Sequence, residues 1–143
     1  MSAGDEEVLA QCASYGIHTH GPSGLKAILE RGGSANAKSK GGGTALMIAC
    51  ERGCVAKVKL LLAASPAPEI TAVEKKWSFT ALHFAAREGN PEIVSLLLKA
   101  GADSNKRCKD GLRPGMHAKV APGRPGGRNK EAAKLLGVGG GAE

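Results

Sequence analysis

Four cysteines and four histidines are the side chains of this 143-residue chain best suited to metal ligation or nucleophilic attack. Cys12, His18 and His20 offer one sulfur and two nitrogens, but no fourth ligand stands near them and the histidines lie in a glycine- and proline-bearing stretch. A closed structural zinc site needs four ligands, so no metal is expected here. Cys50 and His83 could be paired as nucleophile and base, yet no third group orients the base and no oxyanion donor is evident. The segment GGSANAKS, residues 32–39, approaches a phosphate-binding loop. Ala37 stands where that pattern requires a glycine before the lysine, and no strand precedes it. No catalytic residues and no cofactor are expected, and the chain is not expected to be an enzyme.

The elements that position these residues follow from an internal repeat. GGTALMIACERGCVAKVKLLLAAS, residues 42–65, matches SFTALHFAAREGNPEIVSLLLKAG, residues 78–101, so that Thr44 falls on Thr80 at an offset of 36. Gly111 follows Ser78 by 33, and Asn36 precedes Asn105 by 69, which is 36 plus 33. A unit therefore recurs about every 33 residues. Within the unit the physics is legible. Thr80 is placed to cap a helix running to about Glu88, and Gly89 supplies the freedom to end it. Asn90, Pro91 and Glu92 give a second cap, a proline at the first helical position and a carboxylate at the positive helix end, while Gly101 terminates the second helix. Ile93, Val94, Leu96, Leu97 and Leu98 form too broad an apolar face for one solvated side. Ala85 and Ala86 admit a close neighbour. Each unit must be covered on two sides, the stacking requirement of a solenoid.

Residues 80–105, TALHFAAREGNPEIVSLLLKAGADSN, resemble an ankyrin repeat throughout, with Ala81 in place of the usual proline. The resemblance implies an all-α ankyrin-repeat solenoid of about four helix-turn-helix repeats with β-turn fingers. The expected units are residues 5–38, 39–74, 75–107 and 108–137 of a single domain, the first and last being degenerate caps, with 138–143 a flexible tail. His83 falls on the motif histidine and is expected to clip the turn backbone and the neighbouring repeat. Met47 takes that place in the second unit, whose connection at residues 65–73 carries about three extra residues and should be longer and stiffer than usual. Repeat one carries the extra loop IHTHGPS. Repeat four has Arg113 where the capping threonine belongs, and APGRPGG cannot continue a helix. Helical propensity returns only at NKEAAKLL, residues 129–136, so a frayed C-terminal cap beyond about Arg113 is expected.

Charge is unevenly spread. Residues 1–105 carry 11 Lys and Arg against 10 Asp and Glu, and residues 106–143 carry 9 against 3. That basic end could face an acidic partner or a nucleic-acid backbone, or simply be solvated. Lys106, Arg107 and Lys109 resemble a short nuclear-import signal. Cys50 takes the small buried place of Ala86 and Cys54 that of Asn90, which suits reduced thiols acting as small hydrophobes. With no signal-peptide or membrane-length apolar run and no Asn-x-Ser/Thr acceptor, a cytoplasmic or nuclear location and no membrane insertion are expected.

Ankyrin domains engage partners through their finger tips and the exposed face of the first helix. By register the resemblance assigns Lys76, Trp77, Phe79, Arg87, Glu88 and Arg107 around repeat three, and Lys40, Glu51 and Arg52 in repeat two, to partner binding. The expected function is a monomeric protein-protein interaction module for a protein or peptide of acidic character. The alternative is nucleic-acid or acidic-surface binding through the basic C-terminal segment. One Trp, one Tyr and two Phe leave little to stack on bases. The repeat pattern also sets an energetic expectation. Truncating Leu97 to alanine should cost about 2–5 kcal/mol, read from equilibrium unfolding in denaturant.

Overall fold

Thr44 and Thr80 begin two helices of one design. Each lies in extended backbone, and its hydroxyl accepts the amide N–H of Met47 or His83 at 3.2 and 3.4 Å. Gly53 and Gly89 close the two helices in the left-handed region, with φ of 72° and 79°. In the second helix of the third unit, Asn90 Oδ1 accepts the N–H groups of Glu92 and Ile93 at 3.0 and 3.3 Å. These caps satisfy donors that a short helix would otherwise leave unpaired.

The computed structural model describes residues 3–13, 22–120, 132 and 134–137. Their order is α1 (Ala3–Ala13), α2 (Pro22–Glu30), α3 (Ala45–Arg52), α4 (Val55–Leu62), α5 (Ala81–Glu88), α6 (Pro91–Lys99) and α7 (Pro114–Val120). The helices pair as α1 with α2, α3 with α4 and α5 with α6. The first helices α1, α3, α5 and α7 stack in one row, and α2, α4 and α6 in a second. Between the rows lie Leu46, Val58, Leu61, Leu82, Ile93, Val94 and Leu97, all buried, while Ala49, Cys50, Ala85 and Ala86 let the first helices approach closely. Among the described residues there are no strands and no helix long and apolar enough to cross a membrane. The all-α solenoid expected from the repeat is the architecture observed.

Between each pair of first helices the backbone folds into a short finger. Gly42, Ser78 and Gly111 occupy the same register in the three fingers, and each has positive φ, at 81°, 57° and 75°. Ser78 thus adopts a backbone conformation that glycine takes more easily. The fingers are joined by main-chain bonds, Lys75 N–H to Gly41 O at 2.8 Å and Lys109 N–H to Trp77 O at 2.9 Å.

The long connection at residues 65–73 is tied down by side chains of the first unit. Asn36 donates Nδ2 to Ala67 O at 3.1 Å and accepts the Glu69 N–H at 2.8 Å, and Lys38 pairs with Glu69 across the surface. Pro68 within it is buried.

At the two ends the structure adds to the sequence and corrects it. Lys57 is buried on α4 and donates its ammonium to Gln11 O in the last turn of α1, where the helix dipole favours a cation. Of the cap expected to fray beyond about Arg113, residues 114–120 form α7 and pack on α5, and most of the remainder lies outside the described residues. Arg113 takes the place of the capping threonine, and the helix begins at Pro114, whose ring presets the first helical φ and is itself buried. Ala132 and Leu136 are buried in the same core. The stretch APGRPGG, the loop holding His18 and His20, and the tail 138–143 lie outside the described residues.

All four cysteines are free. Burial pushes the Cys12 thiol up to about 12, against the opposing pull of Lys57, and raises Cys50 further still. Cys54 occupies the N-cap of α4 without a side-chain hydrogen bond, whereas Asn90 makes two at the equivalent place. Replacing Cys54 with asparagine is therefore expected to stabilise the fold by about 1 kcal/mol, measured as a rise in the denaturant midpoint at constant slope.

Candidate partner-binding face

The finger before α5 is organised around a buried carboxylate. Glu74 Oε1 accepts the N–H groups of Trp77 at 2.6 Å and Phe79 at 3.0 Å, and Oε2 accepts that of Lys76 at 2.7 Å. Glu74 N–H in turn donates to Phe79 O at 3.0 Å, closing the loop. Burial works to raise the Glu74 pKa, but the three amide donors from Phe79, Trp77 and Lys76, together with the Lys109 charge, outweigh it and hold the carboxyl below its ordinary range.

This scaffold holds Trp77 outward. The indole is 44% exposed, with the Lys76 ammonium 5.1 Å above its ring and Phe79 at a tilted 6.4 Å. Phe79, expected at the surface with its neighbours, is instead buried. It stacks on His83 at 5.3 Å and meets Phe84 and His117 edge-on at 5.4 and 4.8 Å. The turn through Trp77 and the left-handed Ser78, with φ of 57°, breaks the extended path between the two rings and sends Trp77 to solvent and Phe79 inward, so Phe79 supports the face and does not present a surface of its own.

The motif histidine acts as expected. His83 Nδ1 lies 3.2 Å from Thr80 N and 2.9 Å from Thr80 Oγ1, and Nε2 lies 3.0 Å from Leu112 O. A carbonyl can only accept, so Nε2 carries the proton and Nδ1 receives from Thr80. One ring thus closes its own helix start and grips the next repeat. Met47 performs the first task alone, its sulfur accepting the Thr44 N–H at 3.5 Å. Burial lowers the His83 pKa, aided by His117 and Lys106 and resisted by the Leu112 bond. Burial also lowers that of His117, aided by Arg87 and resisted by Asp110.

Of the remaining expected positions, Lys40, Lys76, Arg87, Glu51 and Arg107 are exposed, and Glu88 and Arg52 are half-buried. The structure brings Glu51, Arg87 and Glu88 together with Phe84 around a cleft of about 250 Å³ between α3 and α5. Phe79 joins this cleft to Trp77 by touching both Phe84 and the indole. Lys40 belongs to the preceding finger. Arg107 belongs to the following one, where its guanidinium donates to Gly111 O at 2.8 Å. Phe84, Lys109 and Val73 also belong to the face and were missed from sequence. Val73 is 40% exposed on the same finger as Trp77, and Lys109 donates its ammonium to Lys75 O at 2.7 Å. Val73 and Lys109 follow from the folded fingers, which carry no spacing signal, whereas Phe84 lies one turn before Arg87 and Glu88 on α5, a helical spacing that could have found it.

A family model described as ankyrin repeats in three copies matches residues 9–118, and the chain belongs to the ankyrin-repeat family. Its family is one of protein-interaction modules. The chain is similar to NF-kappa-B inhibitor alpha of Homo sapiens, 34% identical over 92 residues, which is 62% of this chain and 29% of that protein. It is similar to 2-5A-dependent ribonuclease of Mus musculus, 38% identical over 71 residues, 50% of this chain and 9% of the relative. It is also similar to tRNA endonuclease ANKZF1 of Homo sapiens, 45% identical over 64 residues, 41% of this chain and 9% of the relative. The aligned stretch is thus at most 29% of each of these relatives, and their names describe far longer proteins.

The titrating groups give this face a pH signature. Unfolded histidines take up protons near pH 6.5 while folded His83 and His117 resist, so their stabilising effect is whole above about 6.5 and shrinks below it. The Glu74 effect is whole above the ordinary carboxylate range and is lost as pH falls through its lowered folded value. Urea unfolding should therefore show lower stability at about pH 5 than at about pH 7.5. At neutral pH, Glu74→Gln should cost about 1–3 kcal/mol.

Proposed function

We propose that this chain is a protein-binding module whose docking face centres on Trp77 and extends over Phe84 and Arg87. The observation that carries this reading is a large, half-exposed aromatic held out on a finger whose backbone is fixed from beneath by Glu74. Lys75, Lys76 and Lys109 set positive charge beside Trp77, while Glu51 and Glu88 flank Arg87 at the Phe84 cleft, which favours a peptide or protein segment whose acidic and apolar side chains meet the Trp77 finger. The similarity to an NF-kappa-B inhibitor, named for its action on another protein, supports a role in binding. A monomer in the cytoplasm or nucleus is the assembly and location proposed. The alternative, a nucleic-acid or acidic-surface ligand, would rely on Arg124, Arg128 and Lys130, outside the described residues, and on exposed Lys134.

Partners recovered with the domain from nuclease-treated lysate supply the ligand for quantitative binding. Trp77→Ala should weaken that binding by about 2 kcal/mol, roughly thirtyfold. Its stability should change by less than about 1 kcal/mol, since the finger's main-chain bonds survive truncation. Raising salt from about 50 to 200 mM should lower affinity tenfold or less; a loss of roughly a thousandfold that depends on Arg124, Arg128, Lys130 and Lys134 would establish the nucleic-acid reading.

A further inference from the structure

Beyond the docking face, α5, the finger before α7, and α7 itself converge on one set of donor atoms. One ligand atom each from His83, Cys108 and His117 lie within 4.8 Å of one another. Cys108 Sγ and His117 Nε2 are 3.8 Å apart. We propose that these three side chains bind a zinc ion, which joins the third and fourth repeats.

Two imidazoles and one thiol are the donor types zinc selects, and three protein ligands leave a fourth position for water. With zinc–sulfur and zinc–nitrogen lengths of about 2.3 and 2.0–2.1 Å, a tetrahedral ion sets its sulfur and nitrogen ligands roughly 3.5 Å apart. The Cys108–His117 pair at 3.8 Å needs only a slight contraction, and His83 lies within 4.8 Å of both. The surroundings restrain both rings, since Phe79 stacks on His83 and meets His117 edge-on. Cys108 is 7% exposed and His83 fully buried, so ligand sulfur and ring are shielded from bulk water.

Thr80 holds His83 Nδ1 through two groups, so Nε2 is the nitrogen that turns to the ion, exchanging its single bond to Leu112 O for the metal. Ligation there moves the ring proton to Nδ1, where Thr80 Oγ1 at 2.9 Å becomes the acceptor that orients the ring and the Thr80 N–H gives up its bond to Nδ1, a cost the metal bonds must exceed. Leu112 O gives up the His83 donor but keeps the Cys108 N–H at 3.0 Å. The Cys108 thiol loses its proton to solvent as the zinc–sulfur bond forms. Arg87 acts on His117 and Lys106 on His83 against a cation, and Asp110 acts in its favour. The affinity is therefore expected to fall short of that of a closed four-ligand site.

The test uses the full, reduced chain without a histidine tag, titrated with Co²⁺ as the spectroscopic probe and then with Zn²⁺. The expected result is a thiolate-to-cobalt charge-transfer band that saturates at one equivalent and is displaced by zinc. Zinc alone should also raise the thermal midpoint. Cys108→Ser should abolish the band, and His117→Gln should weaken binding at least about tenfold, both with unchanged far-ultraviolet circular dichroism. These variants spare the His83 clip, so the fold is not at stake. His18→Gln with His20→Gln should leave the titration unaltered. Absence of the band in the parent chain, or a band that survives Cys108→Ser, would overturn the proposal.

Discussion

No helix of this chain can keep its apolar side chains from water without help. The described helices of the second and third units run to eight or nine residues, below the length at which a helix holds in water by propensity alone. The second helices carry leucines around more than one face. Stability therefore resides in the junctions: α3 against α5, α5 against α7, and the parallel row of α2, α4 and α6. Everything else serves to set the spacing and angle of those contacts. Small residues at Ala49, Cys50, Ala85 and Ala86 bring the first helices together, and the fingers fix how far each unit is displaced from the last.

The junctions are not all built alike. Between the third and fourth units His83 reaches across to Leu112 O, so a side chain and the helix packing act together. Between the second and third units Met47 stops at its own N-cap, and the connection relies on packing and the Lys75 to Gly41 bond between fingers. At the amino-terminal end, Lys57 reaches back to Gln11 O and ties α4 to the end of α1. Polar side chains thus hold the ends of the array, while the middle is joined mainly by apolar contact and main-chain bonds.

What the sequence reveals and what it conceals follows from the range of the interactions. Thr80, Gly89, Asn90 and Pro91 act on backbone groups within a few residues, so helix limits and the two-layer architecture could be read directly. Pro114 also carried a local signal. The absent threonine at Arg113 obscured it, and α7 was expected to fray. Phe79 was placed on the surface because register locates the residue but not the direction of its ring, which depends on His117 from the next repeat. Glu74 sits in a charged tract, EKKW, and only the closed finger shows that it gathers three amide groups. His83 is likewise far along the chain from Cys108 and His117, and the three meet only through stacking.

The finger of the third unit has a further consequence for the kinetics of recognition. A loop that must order itself before it can bind surrenders conformational freedom at that moment and slows productive encounter. Here the backbone from Glu74 to Phe79 is already closed on itself, and it is bonded to Gly41 on one side and Lys109 on the other. The indole rides on a support with little left to lose. Association at the proposed face would thereby be governed by diffusion and charge, with no waiting step for the receptor to take its shape.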